Sequence, residues 1–335
     1  ADGPVRHGGS AEHDPARDGV VAEELALAGA PRQASGSMLA ARALIGFGTE
    51  EQRARYLPRI RSGADLWCQL FSEPEAGSDL ASLRTRAVLD GDEYIVSGQK
   101  VWTTNGHWAD LGYLLARTEQ DAPKHRGISA FALDMHSPGV SVRPLREITG
   151  TSDFNEVFFD EVRVPAANMI GPPGQGWAIA NATLAHERSG VGATVVELRR
   201  LWRELREQAE RTGSGDGSAF DQRDVRQRLA GFRSEIETLA LLVETGTQRW
   251  QAGDERPIDA PLAKLMFSEL HLRMAEFGLS LPGPGGVFTE GDSVGAIADG
   301  RWADAFLYAR AYTIAGGSSE IMRNVIAERG LGLPR

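Results

Sequence analysis

Apolar positions along the chain change their spacing twice. From Gly19 to Gly63 they recur at helical intervals, in VVAEELALAG and MLAARALIGFG, with Glu and Arg among them. This pattern predicts short helices. Thr49-Glu50-Glu51-Gln52 has the spacing of a capping box, in which Thr49 closes the first turn and Gln52 reaches back, leaving Tyr56, Leu57 and Ile60 on one apolar face. Between Trp67 and about Pro165 the texture changes to short β-branched and aromatic runs divided by turns: EYIVSGQKVWTT, LGYLLART, GISAFALD, GVSVRPL and NEVFFDEVRVP. They predict an antiparallel β domain. From Gly174 the helical period returns over about 175–212, 220–253, 257–281 and 302–329, segments long enough to form a bundle. Gly213–Gly217 follows a helix rather than a strand and has no Lys-Ser/Thr after it, so it reads as a flexible helix–helix connection and not as a phosphate loop.

Composition narrows the class. With 335 residues the chain exceeds what one core usually serves, and two or three domains are expected. Apolar residues at 41% and charged residues at 24% are a globular balance. The 36 basic against 46 acidic side chains leave a net charge of −10, so no basic surplus faces a phosphate backbone and nucleic acid is not an expected partner. Cys68, the single cysteine, has no internal disulfide partner and no clustered metal-ligand spacing, which fits a reducing compartment. No apolar run approaches the roughly 20 residues of a membrane span, and residues 1–19 lack the apolar core of a signal peptide. A cytoplasmic protein without a membrane partner is expected. The histidines at 7, 13, 107, 125, 136, 186 and 271 form no H-x-x-x-H pair, and G-x-S-x-G is absent, so neither a metal site nor a serine nucleophile is indicated.

Three polar patches carry the chemistry. Ser72–Asp79 leaves the first β run through hydroxyls and small residues, with Gly77 permitting close backbone approach; such a loop holds a cofactor or merely turns a corner. Lys100–Gly106 joins the plane of Trp102 to two hydroxyls ahead of an Asn-Gly turn, a platform for a planar ring or an ordinary hairpin with a core Trp. Thr313–Asn324 sets two glycines before Ser, Ser and Glu, the start of a helix whose free N–H groups face an anion or a carbonyl oxygen, or a plain cap at Ser318 or Ser319.

These segments resemble the flavin-dependent acyl-CoA dehydrogenase family. LIGFGTEEQRARYLPRI, FSEPEAGSDLASLRT, GQKVWTTNG, FNEVFFDEVRVPAANMIG, LAHERSG and AGGSSEIMRNVIAERGLGLP follow in the family's order from Leu44 to Pro334. The resemblance implies an α+β multidomain fold: a shortened N-terminal α-helical domain over 1–65, a middle antiparallel β domain over 66–172 and a C-terminal four-helix bundle over 173–335. FAD is then held between domains and across a subunit interface. Carried over by position, Gln69, Phe71, Ser72, Ser78, Trp102, Thr103 and Thr104 contact the isoalloxazine, with Ser72 near its pyrimidine edge and Thr104 on N5. Ser318 and Glu320 meet the ADP half, and Ser78 and Arg188 touch the substrate.

The implied reaction removes a proton from Cα and a hydride from Cβ of an acyl thioester, giving the trans-2-enoyl product. A Cα–H beside a thioester is a weak acid, so it requires a positioned carboxylate, and the developing enolate requires donors aimed at its oxygen. Most members place a glutamate where this chain has Gly316. The isovaleryl and long-chain types place it on the first long helix of the bundle, immediately before an arginine, and Glu187-Arg188 stands there. Glu187 is thus the expected base, and the Gly316 N–H the expected donor to the thioester oxygen, paired with a flavin ribityl hydroxyl. The family's R-x-x-F-G is replaced by ERTGSGDGSAFDQ and its Q-x-x-G-G-x-G by LSLPGPGGVFTEGD, which changes the intersubunit FAD contacts. Some actinobacterial-looking members with such losses form mixed tetramers of catalytic and non-catalytic subunits. Expected partners are a thioester on CoA or on a carrier protein, electron-transfer flavoprotein, and further subunits in a homodimer, tetramer or hetero-oligomer. A non-catalytic subunit and a flavin oxidase or monooxygenase are the other readings. Against the family the helical N-terminus begins several tens of residues late, near His7-Gly8-Gly9, implying a trimmed chain or a more open pocket.

Overall fold

The computed structural model describes residues 35–189, 192–254, 256–287 and 300–334, with a few positions between 20 and 30; most of VVAEELALAG lies outside the described residues. Helix α1 (Ser35–Phe47) is followed by α2 (Glu50–Ser62), which begins where the capping box placed it. The Gln52 N–H donates to Thr49 Oγ1 at 3.2 Å and the Thr49 N–H to Gln52 Oε1 at 3.1 Å, so each satisfies an N–H the helix leaves free. Tyr56, Leu57 and Ile60 are buried, as their spacing requires. The same Gln52 side chain donates from Nε2 to Ala167 O and Met169 O, both at 2.8 Å.

Two compact units divide the chain, one over Pro31–His186 and one over Glu187–Arg335. The first holds β1 (Trp67–Leu70), β2 (Arg86–Asp90), β3 (Glu93–Lys100), β4 (Leu111–Arg117), β5 (Ile128–Asp134), β6 (Val140–Pro144), β7 (Asn155–Pro165) and β8 (Met169–Ile170). Their order is β6-β7-β3-β2-β4-β5-β8, with β1 also beside β4. Each apolar run contains a strand, but EYIVSGQKVWTT leaves the sheet at Lys100. The antiparallel expectation is corrected at β4. Strand β1 runs parallel to it from Trp67↔Leu111 to Leu70↔Leu114, and β2 meets it in parallel at Arg86↔Arg117. The β2–β3 hairpin intervenes in sequence, so the chain returns to β4 in the direction it had in β1.

Strands β4 and β5 are buried on both faces, which is why they read as nearly continuous apolar runs. Tyr113, Leu115, Ala130 and Ala132 share a core with Leu39 and Leu44 of α1, Tyr56 and Ile60 of α2, and Ile179 of α3 (Gly176–Ser189). On the other face Leu114, Ala116, Phe131 and Leu133 pack with Tyr94, Val96, Val157 and Val162.

In the second unit α4 (Gly192–Arg211), α5 (Arg223–Gln251), α6 (Asp259–Ser280) and α7 (Arg301–Ile314) surround one core. Leu198, Leu201 and Leu205 meet Leu229, Phe232 and Ile236, Phe267, Leu270 and Met274, and Trp302, at the three-to-four-residue spacing of amphipathic helices. Two segments are corrected. The stretch 175–212 holds two helices, α3 and α4, and 302–329 breaks at Ala315–Ser318 before α8 (Ser319–Val325). The Gly213–Gly217 connection is also more ordered than its glycines predict: it forms a hairpin with Gly217↔Ser214 and Ser218↔Gly213 paired. Asp221 closes it, accepting from the Ser218 N–H at 2.8 Å and from Ser218 Oγ at 2.9 Å.

A charged pair lies inside the first unit. Lys100, fully buried at the end of β3, donates from Nζ to Glu73 Oε1 at 2.8 Å and to Phe71 O at 2.9 Å. Glu73 also accepts from the Arg84 N–H at 2.6 Å and the Thr85 N–H at 2.9 Å. Burial pushes the Glu73 carboxyl up, but the Lys100 charge and these donors outweigh it and hold the group below its ordinary range. Burial drives Lys100 down to about 8, against the pull of Glu73.

Thr49→Ala should lower stability by about 1 kcal/mol in urea unfolding, the usual worth of a side-chain cap; an unchanged midpoint would refute that role. Lys100→Met leaves Glu73 buried without its counter-charge and should cost about 3 kcal/mol or more, whereas adding Glu73→Gln, which removes the charge but keeps an acceptor for the Arg84 and Thr85 N–H groups, should recover part of the loss. Because the folded carboxyl lies below its ordinary 4.5, its contribution is complete above that pH and fades as pH falls through the folded value. Glu73→Gln should therefore flatten the acid limb of a stability profile, and an unaltered limb would exclude this carboxylate as its source.

Candidate functional site

The Lys100–Glu73 pair draws two of the polar patches together. The Val101 N–H donates to Ser72 O at 2.9 Å, and Lys100 Nζ holds the preceding carbonyl at Phe71, so the loop after β1 and the chain leaving β3 form one surface. Gln69 is half-buried on β1. Phe71 is buried, its ring edge-on to Tyr113 with centroids 4.9 Å apart. Ser72 is half-buried and Ser78 exposed. The neighbouring Asp79 accepts from Lys124 Nζ at 2.9 Å and from Ser82 Oγ.

Beyond Lys100 the backbone turns through the left-handed region at Trp102 (φ +59°) and at Asn105 (φ +57°). A bulky indole rarely adopts this conformation, so the surrounding structure must impose it. Trp102 is 61% exposed, which excludes the hairpin with a core Trp; its ring meets Phe154 edge-on at 6.0 Å. Thr103 is buried and its Oγ1 has no partner among the described residues, while Thr104 is exposed. An open indole plane, exposed hydroxyls and an unpartnered buried one fit the isoalloxazine of FAD, which offers a flat ring edged with hydrogen-bonding atoms.

The third patch belongs to the second unit. Gly316 and Gly317 have φ of +66° and +102°, conformations that glycine adopts without steric cost. A Cβ on Gly316 would enter open space, whereas one on Gly317 would lie 2.4 Å from Met322 Cε. Lys264 Nζ donates to Gly317 O at 2.6 Å and pins the turn. Ser318 is the helix cap, its Oγ accepting from the Ile321 N–H at 3.3 Å. Glu320 is exposed, and its own N–H and the Ser318 hydroxyl hold its carboxyl below the ordinary range. Glu187 and Arg188 fall in the last turn of α3, and their side chains lie outside the described residues.

Glu73, Lys100, Asn155 and Lys264 hold these patches in place, and motif reading assigned none of them a role. Lys100 left a signal: it follows Tyr94 and Val96 on the inward face of β3, where a charge requires a partner.

Comparison with known proteins agrees over the whole length. Residues 2–64 match the acyl-CoA dehydrogenase N-terminal domain, 68–162 the middle domain and 174–331 the C-terminal domain. Acyl-CoA dehydrogenase IpdE1 of Mycobacterium tuberculosis is 42% identical over 318 residues, covering 93% of this chain and 79% of the relative. Among solved structures, the Tcur3481-Tcur3483 steroid ACAD superposes with a TM-score of 0.90 at 32% identity, covering 99% of this chain and 84% of that one. The ChsE4-ChsE5 complex from Mycobacterium tuberculosis gives 0.88 at 33% identity, covering 99% and 85%. Among the described residues no helix is long and apolar enough to cross a membrane. This chain belongs to the acyl-CoA dehydrogenase family, FAD-dependent oxidoreductases that act on CH–CH bonds.

Proposed function

We propose that this protein α,β-dehydrogenates a bulky acyl-CoA of the steroid-derived class to its trans-2-enoyl thioester, within a hetero-oligomeric assembly. The observation that carries the reading is the surface made where the buried ion pair joins the Ser72 loop to Trp102–Thr104. Two further facts support the substrate class: the steroid ACAD among the similar structures, and the open space beside Gly316 where a glutamate would occupy volume. The ChsE4-ChsE5 complex supports a mixed assembly.

When bound, FAD supplies the hydride acceptor. Gln69, Phe71, Ser72, Ser78 and Trp102–Thr104 would hold its ring system, and Ser318 and Glu320 its ADP half. Glu187 takes the Cα proton. The Gly316 N–H donates to the thioester oxygen as negative charge develops there, since a fixed backbone donor stabilises that charge more than it does the neutral carbonyl. Ser78 and Arg188 orient the thioester arm, so that proton removal occurs within a single bound complex. The divisions 1–65, 66–172 and 173–335 are taken as the working domains. Electron-transfer flavoprotein is proposed as the acceptor and the cytoplasm as the compartment, the latter supported by the buried, unpaired Cys68.

The purified chain, with its partner subunit if one is needed, should show a flavin visible spectrum and oxidise steroid side-chain acyl-CoA faster than straight-chain acyl-CoA in the presence of an artificial electron acceptor. Glu187→Gln should keep the spectrum and lose about a hundredfold or more in turnover, the usual worth of a general base. A colourless protein that FAD cannot reconstitute would sink the catalytic reading; undiminished turnover in Glu187→Gln would remove Glu187 as the base.

A further inference from the structure

The turn that exposes Trp102 and Thr104 is held from behind by one buried side chain. Asn155, at the first position of β7, has no exposed surface. Its main-chain carbonyl accepts from the Thr103 N–H at 3.0 Å, and its side-chain Nδ2 donates back to Thr103 O at 2.9 Å, so both backbone groups of Thr103 end on one residue. Nδ2 also donates to Asp153 O at 3.2 Å, and the Asn105 N–H donates to the same Asp153 carbonyl at 2.8 Å. With both amide hydrogens given to carbonyls, Oδ1 acts as an acceptor. His107 Nδ1, 2.9 Å away, therefore carries the proton of that bond. The bonds to Thr103 sit between the two left-handed residues, Trp102 and Asn105. There is no slack: a Cβ on Gly106 would lie 3.0 Å from Thr103 Cγ2 and 3.3 Å from Asn155 Cβ.

We infer that Asn155 is a positioning residue for the flavin face: its amide fixes the strained Trp102–Asn105 turn in the one conformation that presents the Trp102 indole and the Thr104 hydroxyl together. The inference rests on the flavin reading above. A hydrogen-bonded polar side chain in this place does what apolar packing cannot: the Asn155 amide holds the Thr103 carbonyl while the Asn155 main-chain carbonyl holds the Thr103 N–H, so the turn is fixed through both backbone groups of one residue. Strain at Trp102 and Asn105 persists only while those bonds outweigh it. Without the two Nδ2 bonds, to Thr103 O and Asp153 O, the turn relaxes, and FAD must restore it from its own binding energy.

The test compares the unaltered protein with Asn155→Ala and Asn155→Ser, as FAD is titrated into flavin-stripped full-length protein and the visible flavin band is recorded. Asn155→Ala should weaken FAD binding by about tenfold or more, the loss expected for one or two hydrogen bonds, and shift the band. Asn155→Ser keeps one donor and should fall between the two; if Asn155→Ala does not fold, it carries the test alone. Adding Asn105→Gly to Asn155→Ala should recover part of the affinity, since glycine takes that backbone conformation without strain. Variants that are folded by circular dichroism, even with a lower melting temperature, and that bind FAD with unchanged affinity and band position would overturn the inference while leaving the proposed function intact. An unaltered protein that does not bind FAD would overturn both.

Discussion

A lysine and a glutamate removed from water inside the first unit set the geometry on which the candidate site depends. Placing two charges in a protein interior is costly, and the arrangement persists because each has several partners: Lys100 reaches a carboxylate and a carbonyl, and Glu73 accepts two backbone N–H groups besides. Those backbone groups belong to the loop after β1 and to the approach to β2. The pair thus acts less as a source of stability than as a joint, giving three chain segments one permitted arrangement. A hydrophobic pair of similar volume would fill the space without specifying which carbonyl faces which N–H.

How much could be read from the residues followed the range of the interaction. The capping box at Thr49 was legible because helix starts are local chemistry within four residues. Strands β4 and β5 were legible as apolar runs, although burial on both faces rather than one explains them. Strand β2 was missed because in RAVLD only Ala87 is buried, so no period of two is visible. The parallel pairing of β1 with β4 was missed because direction within a sheet is decided by the intervening hairpin. The site divided in the same way. Trp102 and Thr104 stand in a motif, but the bonds that orient them cross 27 residues for Lys100–Glu73 and 52 for Asn155–Thr103. No local spacing encodes those.

The Gly316–Gly317 turn makes a complementary point. Its positive φ values cost glycine nothing, whereas a glutamate at 316 would carry backbone strain even though there is room for its side chain. A chain that keeps glycine here holds a relaxed turn, pinned by Lys264, with an N–H whose position does not depend on any rotamer.

Gln52 ties parts of the fold that are far apart in sequence. One side chain completes the cap of α2 and holds the carbonyls of Ala167 and Met169, 115 and 117 residues away, beside the strand that pairs with β5. A helix start that would otherwise fray by itself is thereby tied to the last strand of the sheet. The two must open together, so amide hydrogen exchange in the first turn of α2 and in 167–170 reports a single cooperative unit rather than two independent ends.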